Sequence, residues 1–241
     1  MELVDALAAD GLVCVVGAGG KKTTLWRLAA RHDRAVVTAT VRIPIFDRHV
    51  ARVEVTKDPV DAVGEADAWP LGLVPEREDD RYLGYDTETV AALAETDVPD
   101  AVLVKADGAR MREFKAPDDA EPQVPAGTDT VLPVASAHVV GKPLTAEHVH
   151  RVERVAAITD LSPGEEIRPE HVAAVVTSPE GGLKDVPPGA TVVPVINKVD
   201  DATDEAAARR IAAAILDAGT VDRVALTRMI ADDPLVAVLE R

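Results

Sequence analysis

The chain contains a glycine-rich turn between an apolar run at 12–16 and an amphipathic stretch that begins at Leu25. The turn reads Gly17-Ala18-Gly19-Gly20-Lys21-Lys22-Thr23-Thr24. The order strand, glycine loop and helix is typical of a phosphate-binding loop, because glycines let backbone N–H groups surround phosphate oxygens and the helix start adds a positive dipole. We therefore predict that residues 17–24 bind a nucleoside triphosphate, GTP or ATP. A tight turn that merely uses glycine is the alternative.

Short Val- and Ala-rich runs alternate with amphipathic stretches along the rest of the chain. Strands that read as continuous apolar runs are typical of a parallel sheet covered by helices on both faces. We predict an α/β, P-loop NTPase-like fold with a mostly parallel, twisted sheet between helices. All 241 residues fit one such domain, and 160–190 is where we expect any small insertion. Predicted strands lie near 12–17, 35–40, 51–55, 70–74, 101–106, 129–135, 191–196 and 223–227, and predicted helices at 22–32, 86–96, 145–158 and 203–217.

The loop does not match G-x-x-x-x-G-K-[ST], and it is closer to the K-G-G-x-G-K-T-T form of the SIMIBI branch of P-loop NTPases. In that alignment Lys22 contacts the β- and γ-phosphates and Thr23 holds Mg²⁺, although the choice between Lys21 and Lys22 stays open. Asp107 ends the apolar run 101–106 and is predicted to be the second Mg²⁺ ligand, with a solvated Asp-Gly turn as the alternative.

Basic residues gather downstream of Asp107, although the chain as a whole is acidic. We predict that they form an anion site, in which Arg110 or Lys115 stabilises the γ-phosphate or an anionic second substrate is held. Scattered surface cations are the alternative interpretation. The residues concerned are Arg110, Arg112, Lys115, Lys142 and Arg151.

A second motif, Asn197-Lys198-Val199-Asp200, follows the apolar run 191–196 and resembles the N-K-x-D motif of GTP-binding proteins. In that family the Asp accepts hydrogen bonds from guanine, the Asn braces the loop and the Lys stem packs on the base. The resemblance favours guanine over adenine, since adenine would leave a buried carboxylate unpaired. An ordinary turn is the alternative.

The formal charge of −16 argues against a nucleic-acid surface, because such surfaces depend on clustered cations. Abundant carboxylates with only eight lysines are typical of halophilic proteins. No apolar run approaches the roughly 18 residues of a membrane span, so we expect a cytoplasmic protein without membrane contact. The single cysteine, Cys14, lies in an apolar run and is expected to pack in the core.

Seven short motifs follow one another along the chain: the loop at 17–21, Ala106-Asp107-Gly108-Ala109, Lys115-Ala116-Pro117, Glu121-Pro122, Gly141-Lys142-Pro143-Leu144, His150-Arg151 and Asn197-Lys198-Val199-Asp200. This ordered set resembles the YqeC family, which comprises accessory proteins of selenium-dependent hydroxylases, also called selenium cofactor biosynthesis proteins. The resemblance implies a P-loop protein that acts in the maturation of molybdenum hydroxylases, with such an enzyme or its cofactor intermediate as partner. Two features depart from the family pattern: Lys105 replaces a usual Glu, and Lys21-Lys22 is doubled. A small-molecule kinase, a nucleotidyltransferase and a non-catalytic nucleotide-binding scaffold stay open, as does the oligomeric state.

Overall fold

Buried Val-rich segments form most of the strands, and ten strands pair into one sheet. The computed structural model describes residues 1–241. In chain order the strands are β1 (Gly11–Gly17), β2 (Ala35–Ala39), β3 (Ile43–Pro44), β4 (Arg52–Val55), β5 (Leu71–Val74), β6 (Arg81–Tyr82), β7 (Ala101–Lys105), β8 (Phe114–Lys115), β9 (Thr130–Ser136), β10 (Val149–His150), β11 (Thr191–Val192), β12 (Val195–Asn197), β13 (Arg223–Thr227) and β14 (Leu235–Glu240). The α-helices are α1 (Leu3–Leu7), α2 (Lys21–Ala29), α3 (Pro59–Gly64), α4 (Thr87–Ala94), α5 (Val152–Thr159), α6 (Pro169–Val176) and α7 (Ala202–Asp217).

The large sheet has the strand order β14-β13-β12-β9-β1-β7-β2-β5-β4, and β11 also pairs with β9. Its pairs are parallel except for the antiparallel edge strand β14. The carboxyl ends of the parallel strands therefore share one edge. The chain moves from β1 toward β2 on one side and later reaches β9 on the other, so the strand order reverses at β1. Ligands of open α/β sheets bind at such a reversal point.

The strand β1 is buried on both faces, which makes it the centre of the fold. Val13 and Val15 belong to a core cluster that includes residues of α2, whereas Leu12 and Cys14 belong to a cluster that includes residues of α4. Burial raises the pKa of the Cys14 thiol to about 12, in keeping with a packing role. The predicted α/β fold with a mostly parallel sheet between helices is confirmed.

Two predicted elements differ from the structure. The helix expected over 145–158 begins only at Val152, because Val149 and His150 instead form β10 and pair with β8. The strand expected over 191–196 is divided into β11 and β12. At β10, pairing with the distant strand β8 overrides the local pattern. β11 and β12 both pair with β9, and the interruption between them contains Pro194, which has no N–H to donate to the sheet.

Several elements were not predicted: α1, α3, α6 and β14. Within 160–190, α6 buries Val172, Val175 and Val176 in a cluster that also contains residues of α7. The small insertion expected in this segment stays a prediction. None of the helices is long and apolar enough to cross a membrane.

Candidate functional site

The glycine loop joins β1 to α2 at the carboxyl edge of the sheet. Gly17 has φ +87°, and a Cβ there would lie 2.2 Å from the carbonyl oxygen of Val134. Gly20, the N-cap of α2, has φ +147°, and a Cβ there would lie 2.1 Å from Asn197 Nδ2. Both positions therefore require glycine, because the loop passes close to the ends of β9 and β12.

The buried side chain of Asn197 holds this loop in place. Its Nδ2 donates to the carbonyl oxygen of Gly19 at 2.8 Å. Its Oδ1 accepts from Thr227 Oγ1 at 3.1 Å and from the backbone N–H of Met229 at 3.0 Å. Asn197 thus links the loop to β13 and the residues after it, which is the bracing role that the N-K-x-D resemblance implies.

Asp107 lies beneath the loop as the centre of a buried ion network. Its Oδ2 accepts from the backbone N–H of Gly17 at 2.8 Å and lies 2.9 Å from Lys115 Nζ. Its Oδ1 lies 2.8 Å from Nζ of Lys21, which also donates to the carbonyl oxygen of Gly17. Burial by itself would raise the pKa of Asp107, but the two ammonium groups outweigh it and the pKa is lowered. The carboxylate is therefore ionised at neutral pH.

Lys115 continues the network away from the loop. Its Nζ lies 2.9 Å from Glu121 Oε2 and donates to the carbonyl oxygen of Gly108 at 2.6 Å. Glu121 also accepts from the N–H of Gly108 at 2.9 Å and from Arg151 Nη1 at 2.7 Å. Burial opposes ionisation of Glu121, yet the Lys115 ammonium and these hydrogen bonds lower its pKa. These contacts connect the segments that contain Gly108, Glu121 and Arg151 to the glycine loop.

A cleft with a volume of about 870 Å³ opens beside the start of α2. Three carboxylates line it, from Asp80, Glu113 and Glu121, against nine Lys and Arg side chains. The cleft is therefore locally basic in a chain of net charge −16, although five of its basic side chains, Lys21, Arg42, Arg81, Arg151 and Lys198, are paired with carboxylates. The basic residues are Lys21, Lys22, Arg42, Arg81, Lys105, Arg110, Arg112, Arg151 and Lys198.

Lys105 is a cleft residue whose role the sequence did not predict. Its Nζ donates to the carbonyl oxygen of Arg42 at 2.7 Å and forms no salt bridge. Burial, reinforced by the nearby Lys21 ammonium, lowers its pKa to about 7. The sequence signals were a lysine at the end of the otherwise apolar strand β7 and its departure from the Glu that is usual in the resembled family.

The two lysines at the start of α2 occupy different environments. Lys21 is almost fully buried, whereas Lys22 is half-buried and its Nζ lies 3.5 Å from Met111 Sδ. Lys22 forms no salt bridge, and burial together with the nearby Arg48 lowers its pKa. The assignment of Lys22 as the phosphate lysine stays a prediction, while the contacts with Gly17 and Asp107 are made by Lys21.

The remaining predicted residues divide between the cleft wall and its surroundings. Arg110 and Thr23 line the cleft, and so does Lys198, whose Nζ lies 2.6 Å from Glu113 Oε1. Asp200 does not line it and lies 3.2 Å from His138 Nε2. Of the predicted nucleotide-binding residues, Ala18, Gly19, Gly20, Lys21, Lys22, Thr23 and Lys198 line the cleft, and Gly17, Thr24, Asn197 and Asp200 do not.

The residues predicted to hold Mg²⁺ do not fit the ion in this geometry. Thr23 lines the cleft, but Asp107 is 1% exposed and does not reach the cleft wall. Its two oxygens lie within 2.9 Å of the ammonium groups of Lys21 and Lys115. A divalent cation there would meet strong repulsion from both groups.

Comparisons with known proteins place the chain in a family. The family model described as YqeC protein matches residues 13–153, a segment that includes the glycine loop, Asp107 and Arg151. The uncharacterized protein YqeC of Escherichia coli (strain K12) is 31% identical over 194 residues, which cover 78% of this chain and 75% of that protein. No solved structure matches the chain. The chain therefore belongs to the YqeC family.

Proposed function

We propose that the chain binds the phosphates of a nucleoside triphosphate in the cleft at the start of α2. The observation that carries the proposal is the charge of the cleft, where four of the nine basic side chains form no salt bridge, namely Lys22, Lys105, Arg110 and Arg112. The first turn of α2 adds backbone N–H groups and the positive end of the helix dipole. A volume of about 870 Å³ is within the usual range of small-molecule sites.

In this proposal Lys21 and the loop amides contact the phosphates, and Arg110 and Arg112 neutralise the terminal phosphate from the facing wall. Neither arginine forms a salt bridge, so each can bind an anion without first losing a carboxylate partner. Because Asp200 lies outside the cleft, its contacts support neither guanine nor adenine. The proposal therefore includes both GTP and ATP.

The reaction we propose is hydrolysis of the nucleotide, coupled to the maturation of molybdenum hydroxylases or to selenium cofactor biosynthesis. This role rests on the family resemblance, with a hydroxylase or its cofactor intermediate as partner. The unpaired Arg110 and Arg112 favour a second candidate, in which phosphoryl or nucleotidyl transfer takes place to an anionic acceptor in the same cleft. Phosphorus NMR separates the two, because hydrolysis releases inorganic phosphate without a modified acceptor.

Calorimetric titration of GTP, GDP and ATP, in low and in multimolar KCl, tests the binding proposal. We expect Lys21→Met to weaken binding by roughly tenfold or more, since a hydrogen bond to a charged group contributes about 1.5–3 kcal/mol. Lys57→Met is the matched control, because Lys57 is exposed and lies outside the cleft. Arg110→Ala, at an exposed position, provides a second variant if Lys21→Met does not fold. Failure of the wild-type protein to bind any nucleotide would refute the proposal.

A further inference from the structure

The residue that follows the phosphate lysine has a defined role in P-loop proteins. It is Ser or Thr, and its hydroxyl holds Mg²⁺. Here Lys21 is the first residue of α2 and makes the contacts with the loop carbonyl of Gly17 and with Asp107. The residue that follows it is Lys22, so an ammonium group stands where the metal-binding hydroxyl is expected.

The second expected metal ligand is also engaged by cations. Both oxygens of Asp107 lie within 2.9 Å of an ammonium group, one from Lys21 and one from Lys115. The carboxylate is buried and does not line the cleft. Thr23 is then the single predicted protein ligand at the cleft wall, and no carboxylate joins it, although Mg²⁺ in nucleotide sites is usually held by one or two carboxylates together with phosphates and water.

Lys22 is available to supply the positive charge that Mg²⁺ supplies in other P-loop proteins. It lines the cleft, is half-buried and forms no salt bridge, its nearest polar contact being Met111 Sδ at 3.5 Å. Lys105, Arg110 and Arg112 line the same cleft and also lack carboxylate partners. Lys22, Arg110 and Arg112 supply three unpaired positive charges, and Lys105 adds a fourth when a bound anion raises its pKa from about 7. These charges match the roughly four negative charges of a metal-free nucleoside triphosphate at neutral pH.

We propose that Lys22 replaces Mg²⁺ in this cleft and that the nucleotide binds as the metal-free polyphosphate anion. The inference rests on the proposed nucleotide binding and adds how the phosphate charge is neutralised. It makes the doubled lysine a functional feature of the loop, with Lys21 at the position of the phosphate lysine and Lys22 at the position of the metal-binding hydroxyl.

The test is calorimetric titration of ATP and GTP, with MgCl₂ or with EDTA, into wild type, Lys22→Thr and Lys57→Thr. We expect wild type and Lys57→Thr to bind at least as tightly in EDTA as in MgCl₂. Lys22→Thr should lose about tenfold or more of its affinity in EDTA, by the loss of one charge-assisted contact. It should recover part of that affinity with MgCl₂, since the variant restores the hydroxyl.

Wild-type binding that requires MgCl₂ would overturn the inference while leaving the proposed nucleotide binding intact. Unchanged affinity of Lys22→Thr in EDTA would also overturn it. Absence of binding under every condition would refute the proposed function itself, so the two failures are distinguishable. The wild-type comparison decides metal dependence without any variant, and a thermal melt checks that Lys22→Thr is folded.

Discussion

Replacing Lys105 by Met should stabilise the protein, although it removes a hydrogen bond. Lys105 is buried at the end of β7, and its ammonium is close enough to Lys21 to be repelled by it. Burial and this repulsion lower its pKa from 10.5 to about 7. Methionine keeps a stem of similar length and carries no charge, so the variant avoids the cost of desolvating an ammonium group.

The magnitude follows from the pKa difference between the folded and unfolded chains. Between pH 7 and 10.5 the unfolded chain holds a proton on Lys105 that the folded chain has lost, so wild-type stability rises with pH across this window. At pH 7 the difference corresponds to about 4 kcal/mol of destabilisation. Loss of the hydrogen bond to the carbonyl oxygen of Arg42 costs about 1 kcal/mol. Lys105→Met should therefore gain about 3 kcal/mol at pH 7, and the gain should disappear as the pH approaches 10.5.

Urea unfolding followed by circular dichroism, at fixed KCl and at several pH values in this window, measures the effect. Lys57→Met is the control, since Lys57 is exposed and its replacement should shift stability little at any pH. A gain for Lys105→Met that is the same at every pH would contradict the desolvation argument. A net loss of stability at pH 7 would show that the ammonium is better solvated or paired than its contacts indicate.

Four further measurements test other parts of the structure. Asn197→Ala removes the hydrogen bonds to Gly19, Thr227 and Met229 and should lower the free energy of unfolding by about 2–3 kcal/mol. Urea unfolding measures this, and an unchanged midpoint would show that Asn197 does not stabilise the loop. Nucleotide binding above pH 7 should be accompanied by uptake of close to one proton, because an anion near Lys105 raises the pKa of that side chain. Calorimetry in buffers of different ionisation enthalpy measures the proton uptake, and the same uptake in Lys105→Met would contradict the prediction. Glu121→Gln should lower stability at neutral pH by about 2–4 kcal/mol. Because the pKa of Glu121 is lowered in the folded state, wild type should lose this advantage as the pH falls below 4.5. Unfolding temperatures of the two proteins that change in parallel with pH would contradict this. Thermal melts at increasing KCl concentration should show a rising unfolding temperature, because salt screens the repulsion within a chain of net charge −16. An unfolding temperature that does not change with KCl would argue against halophilic adaptation.

The central part of the fold could be predicted because its sequence signals are local and agree with one another. The apolar runs at β1, β2, β7 and β13 are short and rich in Val and Ala, and each forms a strand of the sheet. The glycines after β1 predict a turn into a helix, and α2 begins there. Where prediction failed, as at β10, the outcome depends on pairing with β8, about 35 residues earlier in the chain, which no local pattern encodes.

The walls of the cleft could be predicted only in part. Arg110 and Arg112 lie in a basic segment that the sequence marks as an anion site, and both line the cleft. Arg42 and Arg81 come from two distant segments that face the cleft because β3 pairs with β6. That pairing involves two residues of each strand and leaves no periodic signal, so these two arginines are found only from the folded chain.

The two adjacent lysines show most clearly why a motif match alone does not assign a site. Successive helical residues point about 100° apart, so at most one of the two ammonium groups can reach Asp107. The residues Lys22-Thr23 match the pattern for a phosphate lysine followed by a metal ligand. Gly20, however, is the N-cap of α2, so the first helical residue is Lys21 and not Lys22. This one-residue offset places Lys21 in the buried network and leaves Lys22 in the cleft as a cation without a carboxylate partner. Two positive groups then occupy positions that the pattern reserves for one lysine and one metal-binding hydroxyl, which is the physical reason to expect nucleotide binding that does not depend on Mg²⁺.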